Sequence, residues 1–228
     1  MFWQEDRDED KPFVVPDDIV DVNFRVDCRA LPLDHAHALS SALLAALPWL
    51  AEEPRAGIHL IHGAESGNGW MRPEDVENAL LHLSRRTRMT LRLPRERVED
   101  AEALVGQVLD IDGHRLRVGE SSVKKLSPLS TLFARHVVVD PAHDEQAFLQ
   151  AVAGEIQALG VPVTKLMPGK SHAFRMPDGV VHTRSVMIAD LDPEHAVRLQ
   201  EEGIGPMRKM GCGLFIPHKG IKAVNAKG

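Results

Sequence analysis

TLFARHVVVDPAHDEQAFLQAVAGEIQALG, residues 131–160, changes its apolar period once, and that change decides the fold. Residues 131–139 read as a strand. From Asp144 the spacing turns helical: Phe148, Val152, Ile156 and Leu159 share a face, and Gly160 stands just past the end. Further along, PVTKLM (162–167) is a strand candidate, and SHAFRMPDGVVHTRSVMIADL (171–191) folds back through an Asp178–Gly179 turn. Asp192 and Pro193 open a short helix ending at Gly203, and GLFIPH (213–218) is a last strand. The order is strand, helix, strand, strand, helix, strand.

The preceding residues repeat it. DIVDVNFRVDC (18–28) alternates as a half-buried strand does. In DHAHALSSALLAALPWL (34–50), Leu39, Leu43 and Leu47 recur at helical spacing, with Asp34 as the expected N-cap. GIHLIHG (57–63) reads as a short strand before a loop, ESGNGW (65–70). RMTLRLP (88–94) alternates, Pro94 precedes a helix with Val98, Ala101 and Val105 inward, and VLDIDGHRLRV (108–118) is a hairpin with an Asp-Gly turn. The expected class is α+β: two tandem ferredoxin-like (βαββαβ) folds with a C-terminal glycine-rich loop. An acidic leader (1–16) precedes a first domain (17–128) and a second (129–228) whose loop spans 203–213. The duplication is one of pattern, without close sequence repetition.

Of 228 residues 43% are apolar and 26% charged, as in an ordinary soluble domain. The acidic start is unlike a secretory signal, and two cysteines, Cys28 and Cys212, make no metal or disulfide framework, so a reducing cytoplasm is expected. Net charge is −6, but residues 1–18 alone hold seven acids against Arg7 and Lys11, leaving −1 on the remaining 210. Basic stretches stand out on that near-neutral body: Arg85, Arg86, Arg88, Arg92, Arg95 and Arg97, then Arg115, Arg117, Lys124 and Lys125, then an acid-free 203–228 with Arg208, Lys209, Lys219, Lys222 and Lys227. Such stripes suit a polyanion bound on one face.

GIGPMRKMGCGLFIPHKG (203–220) crowds five glycines into eighteen positions. A dinucleotide fingerprint needs a strand before and a helix after; here the order is reversed, and the Walker ending is absent. Gly203, Gly205, Gly211 and Gly213 permit positive φ and offer unshielded amides, and Arg208 and Lys209 offer countercharge. Helix capping by Gly203 and strand packing at Gly213 would account for two of them.

These residues resemble a known family. GIGPMRKMGCGLFIP, with DHAHALSSAL, LSRRTRMTLRLP and VLDIDGHRLRVGE, is similar to the CRISPR repeat-processing endoribonucleases of type I systems, the Cas-six family of the repeat-associated superfamily, over residues 18–218. The resemblance implies two ferredoxin-like folds and metal-independent cleavage of precursor CRISPR RNA within its repeats, giving guide RNAs through 2′-hydroxyl attack and a 2′,3′-cyclic phosphate, with no cofactor. The implied partners are the repeat RNA, retained or released as product, and other subunits of a type I interference complex.

Such a family commonly sets a catalytic histidine at its first helix, and DHAH offers His35, preferred for the Asp-His pair, and His37. A first-turn imidazole is favoured neutral by the helix dipole, as a base requires. Some relatives add a tyrosine; this chain has none, so the acid falls to the second histidine, Ser40, Ser41 or a lysine. His59 and His62, three apart on a strand, face opposite sides and make a poor metal pair; lining an RNA groove is the alternative. Cys212 reads as a small packed residue. Arg85, Arg86, Arg88, Arg115, Arg117, Lys124 and Lys125 are the expected contacts to RNA phosphates, joined by Arg208, Lys209 and the four loop glycines. A competing class, a non-catalytic RNA-binding subunit of an interference complex, shares the folds and the loop but has no use for the histidine pair.

Overall fold

The computed structural model describes residues 13–62 and 79–218. Residues 1–12 of the acidic leader, the 65–70 loop, and Lys219, Lys222 and Lys227 lie outside them. The first half runs β1 (Ile19–Asp27), β2 (Ala30–Pro32), α1 (Ala36–Ala46), α2 (Trp49–Glu52), β3 (Gly57–His59), β4 (Leu80–His82), β5 (Arg88–Pro94), α3 (Val98–Ala101), β6 (Val108–Ile111) and β7 (His114–Lys125). Its main sheet has the order β3-β5-β1-β7-β6, with β2 and β4 paired separately. The second half runs β8 (Leu132–Val138), α4 (Glu145–Ala158), β9 (Lys165–Met176), β10 (Gly179–Ala189), α5 (Pro193–Glu202) and β11 (Phe215–Pro217), in the order β11-β8-β10-β9. Counting its strands in chain order, that is fourth, first, third, second. Strands β7, β1, β5 and β3 repeat the arrangement in the first sheet, with β6 added at the edge.

Alternation explains the first sheet. Val20, Val22 and Phe24 of β1 pair with Leu93, Leu91 and Met89 of β5, and all six are buried against Leu39, Leu43 and Leu47. Each such side chain contributes roughly 1.5–3 kcal/mol on burial. Phe148, Val152 and Ile156 of α4 are buried with Val186, Ile188 and Leu199, as the helical spacing predicts.

Three local expectations change. The helix after Pro94 is one α-turn between two 3₁₀ turns, so Ala101 and Leu104 go inward while Val105 is 41% exposed. Three-residue spacing is what tighter winding requires. The β9–β10 turn is Pro177–Asp178, because Met176 pairs directly with Gly179. Asp34 does not cap α1, whose first residue follows His35 without a side-chain cap.

The halves meet on Arg92, fully buried within an otherwise alternating strand. Its guanidinium holds both Asp21 oxygens (Nε 2.8 Å, Nη2 3.0 Å) and donates from Nη1 to the carbonyls of Gln200 (2.9 Å) and Phe215 (2.8 Å). Burial would raise the Asp21 pKa, but Arg92 and His59 outweigh it and hold the carboxyl well below the usual range. No helix among the described residues is long and apolar enough to cross a membrane.

Candidate active site and nucleic-acid interface

Two histidines two residues apart meet opposite fates. His35 is buried, and both its nitrogens are engaged: Nδ1 lies 2.9 Å from the Pro32 carbonyl, and the Ile61 N–H donates to Nε2 at 3.2 Å. With Nε2 accepting, the proton sits on Nδ1, which donates to Pro32. Burial pushes its pKa down, against the upward pull of Pro32, Leu33 and Asp34. The ring ties the start of α1 to the segment after β3 and is closed to a ligand.

His37 is half-buried and lines a cleft of about 270 Å³ with Pro32, Asp34, Ala38, Asp112, Arg175, Met176 and Pro177. Its Nε2 lies 3.5 Å from Ser41 Oγ, one turn on. The opposite wall is the β9–β10 hairpin tip from the second half. Asp34 Oδ2 accepts the Arg175 backbone N–H at 2.9 Å, so the expected helix cap is instead a mooring between halves. A small apolar cluster of Ala36, Phe174, Met210 and Cys212 packs beneath, joining α1, the hairpin and the glycine loop. Cys212 is fully buried there, and burial pushes its thiol up to about 12, in keeping with a packed residue.

The glycine loop turns its chemistry inward, contrary to expectation. All four glycine amides are spent: Gly203 on Leu199 O, Gly205 on Glu155 Oε2, Gly211 on Arg208 O, and Gly213 on His136 O. Arg208 donates to the carbonyls of Arg55, Glu201 and Glu202, and Lys209 to those of Glu53 and Ala56. Burial pushes their pKa values down to about 10 and about 8. The missing side chains let backbones touch: a Cβ on Gly213 would lie 1.7 Å from Ile204 O, and one on Gly211 2.8 Å from Leu60. The loop is a clamp on the first half. The expected countercharge at its tip is replaced by carbonyl capping, because Glu53, Arg55 and Ala56 turn their carbonyls toward it.

The other basic residues divide. Arg88, Arg115 and Arg117 are exposed on the first sheet's outer face, at positions alternating with core residues, and Lys124, opposite Asp21, shares that face; Arg85 and Arg86 are exposed at its rim. Arg88 Nη1 also donates to Arg85 O and Thr87 O. Lys125 belongs to the opposite face, donating to Val15 O and lying 4.0 Å from Asp17. His59 Nε2 lies 3.7 Å from Asp21 Oδ1, whereas exposed His62 stacks on His136 (centroids 6.4 Å apart). His136 in turn meets His172 edge-on at 5.1 Å. No cluster of three or more His, Cys, Asp or Glu among the described residues is set to hold a metal.

Sequence reasoning missed Arg175, His136 and His172, which no periodic pattern marks. It counted Arg92 in a basic run suited to a polyanion; alternation does put Arg92 on the face that carries Arg88, but the second half covers that face at Arg92 and buries it.

The family profile described as "Cas6 Crispr" matches residues 20–220. The CRISPR-associated endonuclease Cas6 of Myxococcus xanthus (strain DK1622) is 39% identical over 198 residues, 87% of this chain and 81% of that protein. A solved structure described as CRISPR associated protein Cas6 superposes with a TM-score of 0.60 at 12% identity, over 88% of this chain and 100% of that one. Thermus thermophilus Cse3, solved bound to an RNA representing a pre-cleavage complex, gives 0.50 at 14% identity over 87% and 98%. These two likenesses are of fold. By the profile and the M. xanthus relative together, this chain belongs to the Cas6 family of CRISPR-associated proteins.

Proposed function

We propose that the protein is a metal-independent endoribonuclease that cuts precursor CRISPR RNA within each repeat, on a frame of two ferredoxin-like units, residues 17–128 and 129–228. Family membership and the two matching strand orders support this reading. The observation that carries it is the cleft at the junction, which presents His37 while His35 is spent on Pro32 and Ile61. A ribose 2′-hydroxyl attacks its neighbouring phosphorus. The O2′–P bond forms, the P–O5′ bond breaks, and a 2′,3′-cyclic phosphate and a 5′-hydroxyl result. His37 takes the 2′ proton, and water returns one to the leaving oxygen. No step asks for a metal ion, because the nucleophile is internal and side chains supply base and charge. His35 serves by fixing the turn that carries His37. Arg85, Arg86, Arg88, Arg115, Arg117 and Lys124 hold phosphates along the first sheet.

The test is incubation of the host's own repeat RNA with protein in EDTA, comparing wild type with His37→Ala and with RNA 2′-deoxy at one nucleotide. Cutting at one site per repeat, abolished by either change while binding persists, is expected. Binding without cutting by wild type would leave an RNA-binding subunit.

A further inference from the structure

We infer that the outer face of the second sheet, away from its helices, is a stacking platform for unpaired nucleotides of the RNA, centred on Phe133. The inference rests on the reading of repeat RNA as the substrate and adds a binding surface apart from the cleft. Sheet register carries it. Ile216 of β11 pairs with Phe133 of β8, Phe133 with Met187 of β10, and Met187 with Met167 of β9. Four apolar side chains therefore form one row across all four strands. Their neighbours Leu132, Ala134, Ile188 and Phe215 are buried with Phe148, Val152 and Ile156 of α4, so alternation turns the row to the opposite face. Phe133, Met187 and Ile216 are half-buried there, and Met167 is 49% exposed.

The surroundings favour RNA as the occupant. The Arg135 guanidinium lies over the Phe133 ring at 5.8 Å, and the His218 ring tilts against the same ring at 6.3 Å. The His218 N–H donates to Thr131 O, and the chain continues from there as KGIKAVNAKG, residues 219–228, with three lysines and no acid. At the β9 edge the Asp190 carboxylate is paired with Lys165 at 2.7 Å. An apolar strip with a ring at its centre and cations beside it fits a polyanion that carries flat apolar groups. Every nucleobase has a π-face, so such a platform holds unpaired nucleotides without reading their sequence. Met167 precedes Met176 of the cleft by nine residues of β9, about 30 Å at the rise of a strand. The platform therefore holds RNA that flanks the cut, not the reacting nucleotide.

The experiment places 5-iodouridine at single unpaired positions of the host's repeat RNA, irradiates its complex with the full chain and maps the adducts by mass spectrometry. An adduct on Phe133 or another residue of the row is expected. Affinity, salt dependence and thermal melting are measured beside it. Phe133→Leu, which keeps an apolar side chain and removes the ring, should weaken binding by about 5- to 150-fold. The salt slope should stay as in wild type, since stacking releases no counterions, and saturating protein should recover cleavage. Met167→Glu, at a half-exposed position, should weaken binding too, and it decides alone if Phe133→Leu fails to fold. Wild-type affinity in the deciding variant, or adducts on the first half only, overturns the proposal. A variant that melts at lower temperature yet binds RNA as wild type does would mean that the face packs against protein, residues 219–228 or another chain, and overturns it too. If wild type cuts and His37→Ala does not, the cleavage reading stands whatever the platform does. If wild type neither binds nor cuts the repeat RNA, both readings fall.

Discussion

The glycine loop and the hairpin cleft make an instructive pair. The loop looks like a phosphate cradle, with glycines around a basic pair, yet every glycine amide in it and both cations are bonded to the protein itself. The cleft has no such signature, only a histidine, an arginine, two aspartates and a few apolar residues, yet it joins the two halves around an imidazole. Residue type states which chemistry is available. Hydrogen-bond partners state whether it has been used.

That contrast can be broken in order of effect. His37→Ala should cost about 10²–10⁴-fold in cleavage rate with the melting curve unmoved; a large loss of stability instead would make His37 another structural ring. Gly213→Ala should cost about 2–5 kcal/mol, from a left-handed backbone at φ 68° and a Cβ driven into Ile204 O. Denaturant melts measure it, and a neutral result would mean the loop is not a clamp. His35→Ala should lose about 1–3 kcal/mol, because it leaves the buried Ile61 N–H without an acceptor. Cleavage at permissive temperature should fall far less than in His37→Ala.

Acid sharpens the same point. Burial lowers the pKa of both His35 and His59 from 6.5, so the folded state binds fewer protons than the unfolded chain below that pH. Their contribution is therefore full above pH 6.5 and declines as pH falls, by at most about 1.4 kcal/mol per unit for each ring. Asp21, held low, adds its loss only below its ordinary 3.8. Urea midpoints at a series of pH values should trace that order, and a midpoint flat from pH 7 to 5 would contradict the burial of both rings. The smallest effect separates the two basic sets. Arg117→Gln should reduce the salt slope of RNA binding by about 0.7, one phosphate's share, whereas Lys209→Gln should leave the slope unchanged and lower stability.

Most of the fold was legible because alternation and helical spacing are local. The strand from residue 131, the helix with Phe148, Val152 and Ile156, and the Asp112–Gly113 turn all stand where the periodicity puts them. The site was legible only in part. DHAH draws attention to the start of α1, but which of its two rings is spent on the protein depends on Ile61, 26 residues on. Arg175 is marked by no spacing, since its relation to Asp34 spans 141 positions. The loop misled because capping carbonyls on another element and capping a phosphate call for the same residues.

Arg92 also imposes an order of synthesis. It and Asp21 leave the ribosome long before Gln200 and Phe215, whose carbonyls complete the set around its guanidinium. Until then this arginine must stay hydrated, because burying it with two of its donors unmatched is costly. The face of the first sheet around Arg92 stays open to water while the rest of the chain is made. The step that closes it also seats the hairpin tip over His37. A nascent or truncated chain thus has its histidine without its cleft.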